Sequence, residues 1–140
     1  MSFELEQEFY VPPVILFNAF TDAQVLTRLS RGALAEVELK VGGDFSMFSK
    51  SIYGKFIKID NPNEIIQTWK FCDWNENDYS QVTINFIPIK ENHTLIKLKH
   101  ENIPLKNKYN EGGVLERCKH GWTENIFRSI ELVLGYPKKK

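Results

Sequence analysis

Residues 114–137, VLERCKHGWTENIFRSIELVLGYP, are the stretch that decides the fold. Apolar residues fall at 115, 118, 122, 126, 127, 130, 133 and 134, three or four apart. An α-helix turns once in about 3.6 residues, so this spacing lines up one apolar face. Arg117, Lys119, Glu124, Arg128 and Glu131 take the other face. Gly135 and Pro137 mark the stop. The stripe predicts one amphipathic helix of about 22 residues, or about 33 Å. An apolar face of that length needs a large partner surface, and the rest of the chain has to supply it.

Upstream, the pattern changes to period two, which is the mark of strands. Phe3, Leu5, Phe9 and Val11 alternate with Glu4, Glu6 and Glu8. Pro12-Pro13 closes that strand and suits the first turn of a helix. Thr21-Asp22-Ala23-Gln24 reads as a capping box with Thr21 as N-cap, opening a second short helix over about 22–30 that stops at Gly32. The segment 34–41 alternates Ala35, Val37, Leu39 and Val41 against Glu36, Glu38 and Lys40, and predicts a strand. Gly42-Gly43 is then a type I′ hairpin turn. Further strands follow over Phe45–Phe48, 52–59 (with a bulge expected at Gly54), the run IIQTWKFCDW, 80–87 and 94–101, each separated by a polar turn.

The predicted order is therefore a strand, two short helices, about six antiparallel strands and one long helix. That is an α+β domain in which an antiparallel meander sheet wraps around the C-terminal helix. Residues 1–137 make one domain, and Lys138–Lys140 read as a solvated basic tail. Leu105–Gly113 is the single long connection and reads as a mobile surface loop.

Composition narrows the function. In 140 residues, Lys plus Arg number 18 and Asp plus Glu number 18, so the formal net charge is zero. A dedicated nucleic-acid binder carries a basic excess, and none is present. No run approaches the 18 apolar residues or so of a membrane span, and the acidic start MSFELEQEF is no signal peptide. A cytoplasmic protein without membrane attachment is expected. Cys72 and Cys118 both lie in apolar runs and read as buried, reduced thiols, and a structural zinc site lacks its ligand cluster.

No constellation for catalysis emerges. There is no usable serine motif, nucleophile elbow, phosphate loop or metalloprotease helix. His93, beside a turn, reads as exposed. His100 shares the parity of Ile96 and Leu98 and points inward, either as an acid–base residue in a cavity or as a structural histidine hydrogen-bonded at the rim. His120 faces away from Trp122, and three scattered histidines make no metal site. No cofactor and no metal are expected. Among the aromatics, Trp69 and Trp122 read as core, whereas Trp74, next to Asp73 and a polar loop, reads as exposed, either as a binding anchor or as a cover over the end of the sheet. Phe17, Phe20, Phe45, Trp69, Phe86 and Trp122 are the bulky inward candidates to line, and largely fill, any cavity between sheet and helix.

The segments VPP, ELKVGGDFSMF, GKFIKIDNPNEIIQTWKFCDW, YSQVTINF, TLIKLKHENIP and the GW of the last helix occur here in this order. Together they resemble the activator family of the 90-kDa heat shock chaperone's ATPase, and its C-terminal domain in particular, from about Phe9 to Tyr136. The resemblance implies a START-like, or helix-grip, fold. It also implies a non-enzymatic cochaperone module that docks on the chaperone's N-terminal nucleotide domain. The family's separate N-terminal domain has no counterpart in these residues. Ser49-Lys50-Ser51, where the family has a glycine-containing turn, and a longer connection between Pro104 and Gly121 are departures that touch surface contacts. The partner-binding candidates are Asp73 and Trp74 at the end of the sheet and Tyr109 in the loop Lys106–Glu111. The alternative is a carrier or sensor of a small apolar ligand held between sheet and helix.

Overall fold

The first strand, β1 (Phe3–Phe9), pairs with the last one, β7 (His93–Glu101), from Phe3↔His100 to Phe9↔Thr94. In between lie two short helices, α1 (Pro13–Thr21) and α2 (Ala23–Leu29), and strands β2 (Glu36–Val37), β3 (Asp44–Met47), β4 (Ile52–Asp60), β5 (Glu64–Phe71) and β6 (Ser80–Lys90). The sheet is antiparallel in the order β1-β7-β6-β5-β4-β3-β2. Strands β2 to β7 form a meander, and β1 closes on its far side. This is a computed structural model, and it describes residues 1–140. The expected α+β helix-grip architecture is present, with the sheet wrapped around the C-terminal helix.

That helix runs as α3 (Val114–His120), a π-helical stretch (Gly121–Phe127) and α4 (Arg128–Leu132). The sequence explains the interruption. Cys118, Trp122, Ile126, Ile130 and Leu134 are four apart, and each step of four overshoots an α-helical turn by about 40°. A uniform α-helix would wind this row off the sheet. The π-helical turns take in more residues per turn, and all five side chains stay buried. Val133, at the edge of the predicted stripe, is exposed.

Several local expectations give way to tertiary contacts. Asp22, not Thr21, caps α2: its Oδ1 accepts from the N–H groups of Gln24 at 2.9 Å and Val25 at 3.3 Å. Thr21 is instead the buried last residue of α1, with its hydroxyl donating to the Phe17 carbonyl. Of the predicted strand 34–41, only Glu36–Val37 pairs. The following segment folds over β4, where Gly42 N–H donates to the Phe56 carbonyl, and leaves Leu39 50% and Val41 68% exposed. Only Gly42 of the glycine pair has positive φ, so the turn is not type I′. The bulge expected at Gly54 lies between Phe56 and Lys58. Gly54 serves close approach instead, since a Cβ there would sit 1.9 Å from the Thr68 carbonyl oxygen. That neighbour is backbone and cannot rotate aside. Gly54→Ala should therefore destabilise by about 2–3 kcal/mol, the upper range for overpacking. The check is the urea midpoint, and an unchanged midpoint would mean that β4 and β5 do not approach as described.

The basic tail is not free in solvent. Lys138 bridges Phe9, Lys139 N–H donates to the Glu8 carbonyl, and Tyr10 N–H donates to the Pro137 carbonyl. Cys118 is fully buried, and its burial pushes the thiol up to about 12. Cys72, by contrast, is exposed, because its place after β5 leads out of the sheet. Neither forms a disulfide.

Candidate functional site

β5 delivers the chain to the end of the sheet through the segment WKFCDW, residues 69–74. Trp69 and Phe71 turn into the core, while Lys70 turns to the outer face. Lys70 is nevertheless only 2% exposed. Its ammonium donates to the carbonyls of Asn75 at 2.8 Å and Glu76 at 3.2 Å, and lies 4.7 Å from the centre of the Tyr79 ring. This single side chain folds the polar loop 75–79 back over the strand. Trp74 turns the other way, onto the core side of the strand with Trp69 and Phe71. It is 3% exposed, edge-on to Trp69 at 5.9 Å and to Phe71 at 6.1 Å. The expectation of an exposed Trp74 is thus corrected: an apolar aromatic cluster offers more than solvent does.

Asp73 is half-buried at the sheet end and organises its neighbours. Its carbonyl accepts the Lys108 N–H at 2.9 Å, which draws the loop 106–111 to the sheet end. Its carboxylate pairs with Arg117 of α3, whose guanidinium stacks 4.4 Å over the Phe71 ring. The loop itself is braced by Asn107. The Asn107 Oδ1 accepts from the N–H groups of Tyr109 and Glu111, and its amide nitrogen donates to the Glu111 carboxylate. Tyr109 projects from this frame, 66% exposed, and Leu105 beside it is also open to solvent. The structure thus brings two of the predicted partner-binding residues, Asp73 and Tyr109, onto one surface and places the third, Trp74, beneath it. Arg117 was not singled out in the sequence. Its helix position showed only that it faced away from the core, and nothing local signalled Asp73 as its partner.

The six cavity candidates are all buried. They fill the space rather than line it: Phe17 and Phe20 pack on Phe86 at 5.7 and 6.0 Å, Phe45 on Phe56 at 5.6 Å, and Trp69 on Trp122 at 6.1 Å. What remains between sheet and helix is about 210 Å³, lined by Phe48, Ser51, Ile52, Trp69, Phe71, Gly121, Asn125 and Ile126. Of the six, only Trp69 borders it.

His100 is 0% exposed and sits in the centre of the core, not at its rim. Trp122 Nε1–H donates to its Nδ1 at 3.1 Å. Burial lowers its pKa to about 3, so the ring is neutral and its one proton is on Nε2. That proton goes to Ser80 Oγ at 2.7 Å, and the Ser80 hydroxyl donates onward to the Trp69 carbonyl at 2.6 Å. Every group in this chain is satisfied, so the Ser80–His100 pair is a structural link between helix and sheet. The Ser80 proton is directed at a carbonyl and the hydroxyl is not poised to attack. His93 is also buried, contrary to the sequence reading. It lies against the Tyr10 ring at 4.9 Å, with Nε2 2.7 Å from Glu8 Oε1, close but not aligned as a hydrogen bond. Glu8 also takes the Lys139 ammonium at 3.1 Å, and that hydrogen bond holds its carboxyl below the usual carboxylate range. No group of three or more His, Cys, Asp or Glu is placed to hold a metal ion. No helix is long and apolar enough to cross a membrane.

A seven-stranded antiparallel sheet closed on a C-terminal helix, with its interior filled by aromatics and its polar features at the sheet end, defines a helix-grip domain built around its surface. The family model "Activator of Hsp90 ATPase homolog 1-like protein" matches residues 10–135, and the chain belongs to that family. It is 26% identical over 138 residues to an activator of 90 kDa heat shock protein ATPase homolog from Dictyostelium discoideum, covering 99% of this chain and 34% of that protein. It is 27% identical over 119 residues to homolog 2 of the same activator from Mus musculus, covering 85% of this chain and 33% of that protein. The chain therefore spans about one third of the length of these curated relatives. A solved structure, that of an HSP90 activator from Plasmodium falciparum, superposes with a TM-score of 0.97 at 68% identity, covering 99% of each chain.

Proposed function

We propose that this domain is a non-enzymatic cochaperone module that binds the 90-kDa heat shock chaperone in the cytoplasm and assists or stimulates its ATPase cycle. The observation that carries this reading is the 68% identity, over 99% of both chains, to an HSP90 activator. The contact surface we assign is the sheet end formed by Asp73, Arg117 and Tyr109, facing the chaperone's N-terminal nucleotide domain. An exposed tyrosine on a braced loop, beside a paired Asp and Arg, gives a rigid aromatic anchor with a polar rim. Full-length relatives are about three times longer, and a second tethered module raises avidity by roughly 10²–10⁴. A lone domain is therefore expected to bind at micromolar affinity or weaker, with modest stimulation.

The test is a titration of purified chaperone with the domain, reading both binding and ATP turnover. Tyr109→Ala should weaken binding about tenfold or more, as hot-spot aromatics do, and Asp73→Asn should do so through loss of the Arg117 pairing. Both should keep the parent's circular dichroism. Folded variants that bind like the parent would place the contact elsewhere. The carrier reading has less room, since about 210 Å³ falls below the roughly 300–1,000 Å³ of ligand pockets. A parent that ignores the chaperone but retains a small apolar ligand through purification would reverse the choice.

A further inference from the structure

The cavity of about 210 Å³ between sheet and C-terminal helix is small for a carrier's cargo, yet several features of the chain converge on it. One is an unpaired donor. Trp69 borders the cavity and is 1% exposed, and its Nε1–H has no hydrogen-bond partner. The indole N–H of Trp122, stacked on it, reaches His100. A buried N–H without an acceptor is disfavoured, and native proteins seldom leave one so. Another is Gly121, which also borders the cavity. Its φ of −60° and ψ of −43° are helical, and glycine within a helix is less stable than alanine. Neither conformation nor crowding requires it, since a Cβ there would meet only Phe71 Cζ at 3.9 Å. What the missing side chain does is leave the cavity open.

The β3–β4 turn supplies Phe48 and Ser51 to the same cavity. Phe48, Ser49 and Lys50 have φ of +52°, +53° and +67°, a run of left-handed residues without glycine. Such conformations cost free energy and cluster at ligand clamps. The cavity also adjoins the contact surface assigned above. Ser51 and Asn125 at its rim are exposed. The Ser51 carbonyl accepts the N–H of Cys72, next to Asp73, at 2.9 Å, and Phe71 of the cavity wall carries the Arg117 guanidinium.

Size and chemistry select the guest. An apolar cavity of about 150 Å³ holds a benzene ring, so about 210 Å³ holds one ring with a substituent. Phenylalanine and leucine side chains would fill the space but bring no acceptor, and tryptophan and lysine bring donors only. Tyrosine brings an aromatic body and a hydroxyl oxygen that accepts. We infer that the cavity receives a tyrosine side chain of the bound partner protein, its ring against Phe48, Phe71 and Ile126 and its hydroxyl oxygen accepting from Trp69 Nε1–H. This inference rests on the cochaperone reading and adds to it a subsite beside the Asp73–Arg117 pair.

The probe is p-cresol, the tyrosine side chain by itself, titrated into the intact domain beside toluene, which lacks the hydroxyl. Indole N–H signals are followed by NMR, and Trp69→Phe identifies that of Trp69. p-Cresol should shift this signal saturably and bind about fivefold more tightly than toluene, as one net hydrogen bond allows. In Trp69→Phe the two should bind alike. Gly121→Leu fills the cavity from a position that is already helical. It should keep the parent's circular dichroism, lose p-cresol binding and bind the chaperone about tenfold more weakly. Gly121→Ala takes less of the volume and should weaken both in the same direction, so the test survives a leucine variant that does not fold. A Trp69 signal that does not move, or toluene binding as tightly as p-cresol, would overturn the site whatever the chaperone does. Folded Gly121 variants that lose p-cresol yet bind the chaperone like the parent would overturn the tyrosine and leave a free small phenol as the guest. A parent that takes up p-cresol but does not bind the chaperone would overturn the cochaperone reading, and the docked tyrosine with it.

Discussion

Trp122→Ala should lower the melting temperature by roughly 10–20 °C. Trp122 is 1% exposed and packs on Trp69, Phe20 and Phe127. Truncating a large buried aromatic costs about 3–5 kcal/mol, and a domain of this length has an unfolding entropy that converts each kcal/mol into about 3–4 °C. The loss has two parts. The ring fills the centre of the grip between sheet and helix, and its N–H is the donor that His100 Nδ1 requires. Trp122→Phe separates them, because it keeps most of the packing and removes the donor. A buried acceptor left without a partner costs about 1–3 kcal/mol, so Trp122→Phe should fall between parent and alanine variant. Calorimetry that finds the phenylalanine variant equal to the parent would mean that the Trp122–His100 bond does not matter to stability. An alanine variant that melts like the parent would remove the helix from the core.

The domain should also lose stability steeply on mild acidification. His100 has its pKa lowered to about 3 by burial, from an ordinary value of 6.5. The unfolded chain therefore takes up this proton first. Between pH 6.5 and about 3 it binds one more proton at this site than the folded chain does, so stability falls as pH falls through that window. Stabilisation from the neutral ring is complete above about pH 6.5 and is exhausted near pH 3. A shift of this size corresponds to up to about 5 kcal/mol. The Glu8 carboxyl, held low by its hydrogen bond to Lys139, acts in the same direction at lower pH. Urea unfolding measured at several pH values in parent and in His100→Gln tests this. Glutamine can accept from Trp122 and donate to Ser80 without titrating. The variant should start less stable at pH 7 and show a flatter pH dependence from 6.5 to 4. Parallel curves would assign the acid sensitivity to other groups.

The features legible in the sequence were those written in local periodicity. The alternation of Val82, Ile84 and Phe86 and the stripe through Cys118, Trp122, Ile126 and Ile130 each placed their residues in the core, where all are buried. The four-residue spacing of that stripe even contained the π-helical interruption, since a strict row of fours is incompatible with a straight α-helix. The alternation of 34–41 misled, because Leu39 and Val41 are apolar at the right parity yet lie where the chain leaves the sheet to cross β4. Trp74 misled for the complementary reason: its polar neighbours suggested solvent, but its own ring turns back onto Trp69 and Phe71 in the core.

The sequence by itself determined the order of elements, the one apolar face of the helix and the inward aromatics. These depend on residues within a turn or a strand of one another, and near-neighbour spacing encodes them. Only the tertiary structure decided which polar groups meet. Asp73 with Arg117 joins residues 44 apart, His100 with Trp122 joins residues 22 apart, and the tail on β1 joins opposite ends of the chain. The strength of a charge or hydrogen-bond contact depends on distance and burial, and both are set only once the sheet has closed on the helix. For that reason the chain's core could be read along its length, while the polar surface at the sheet end could not.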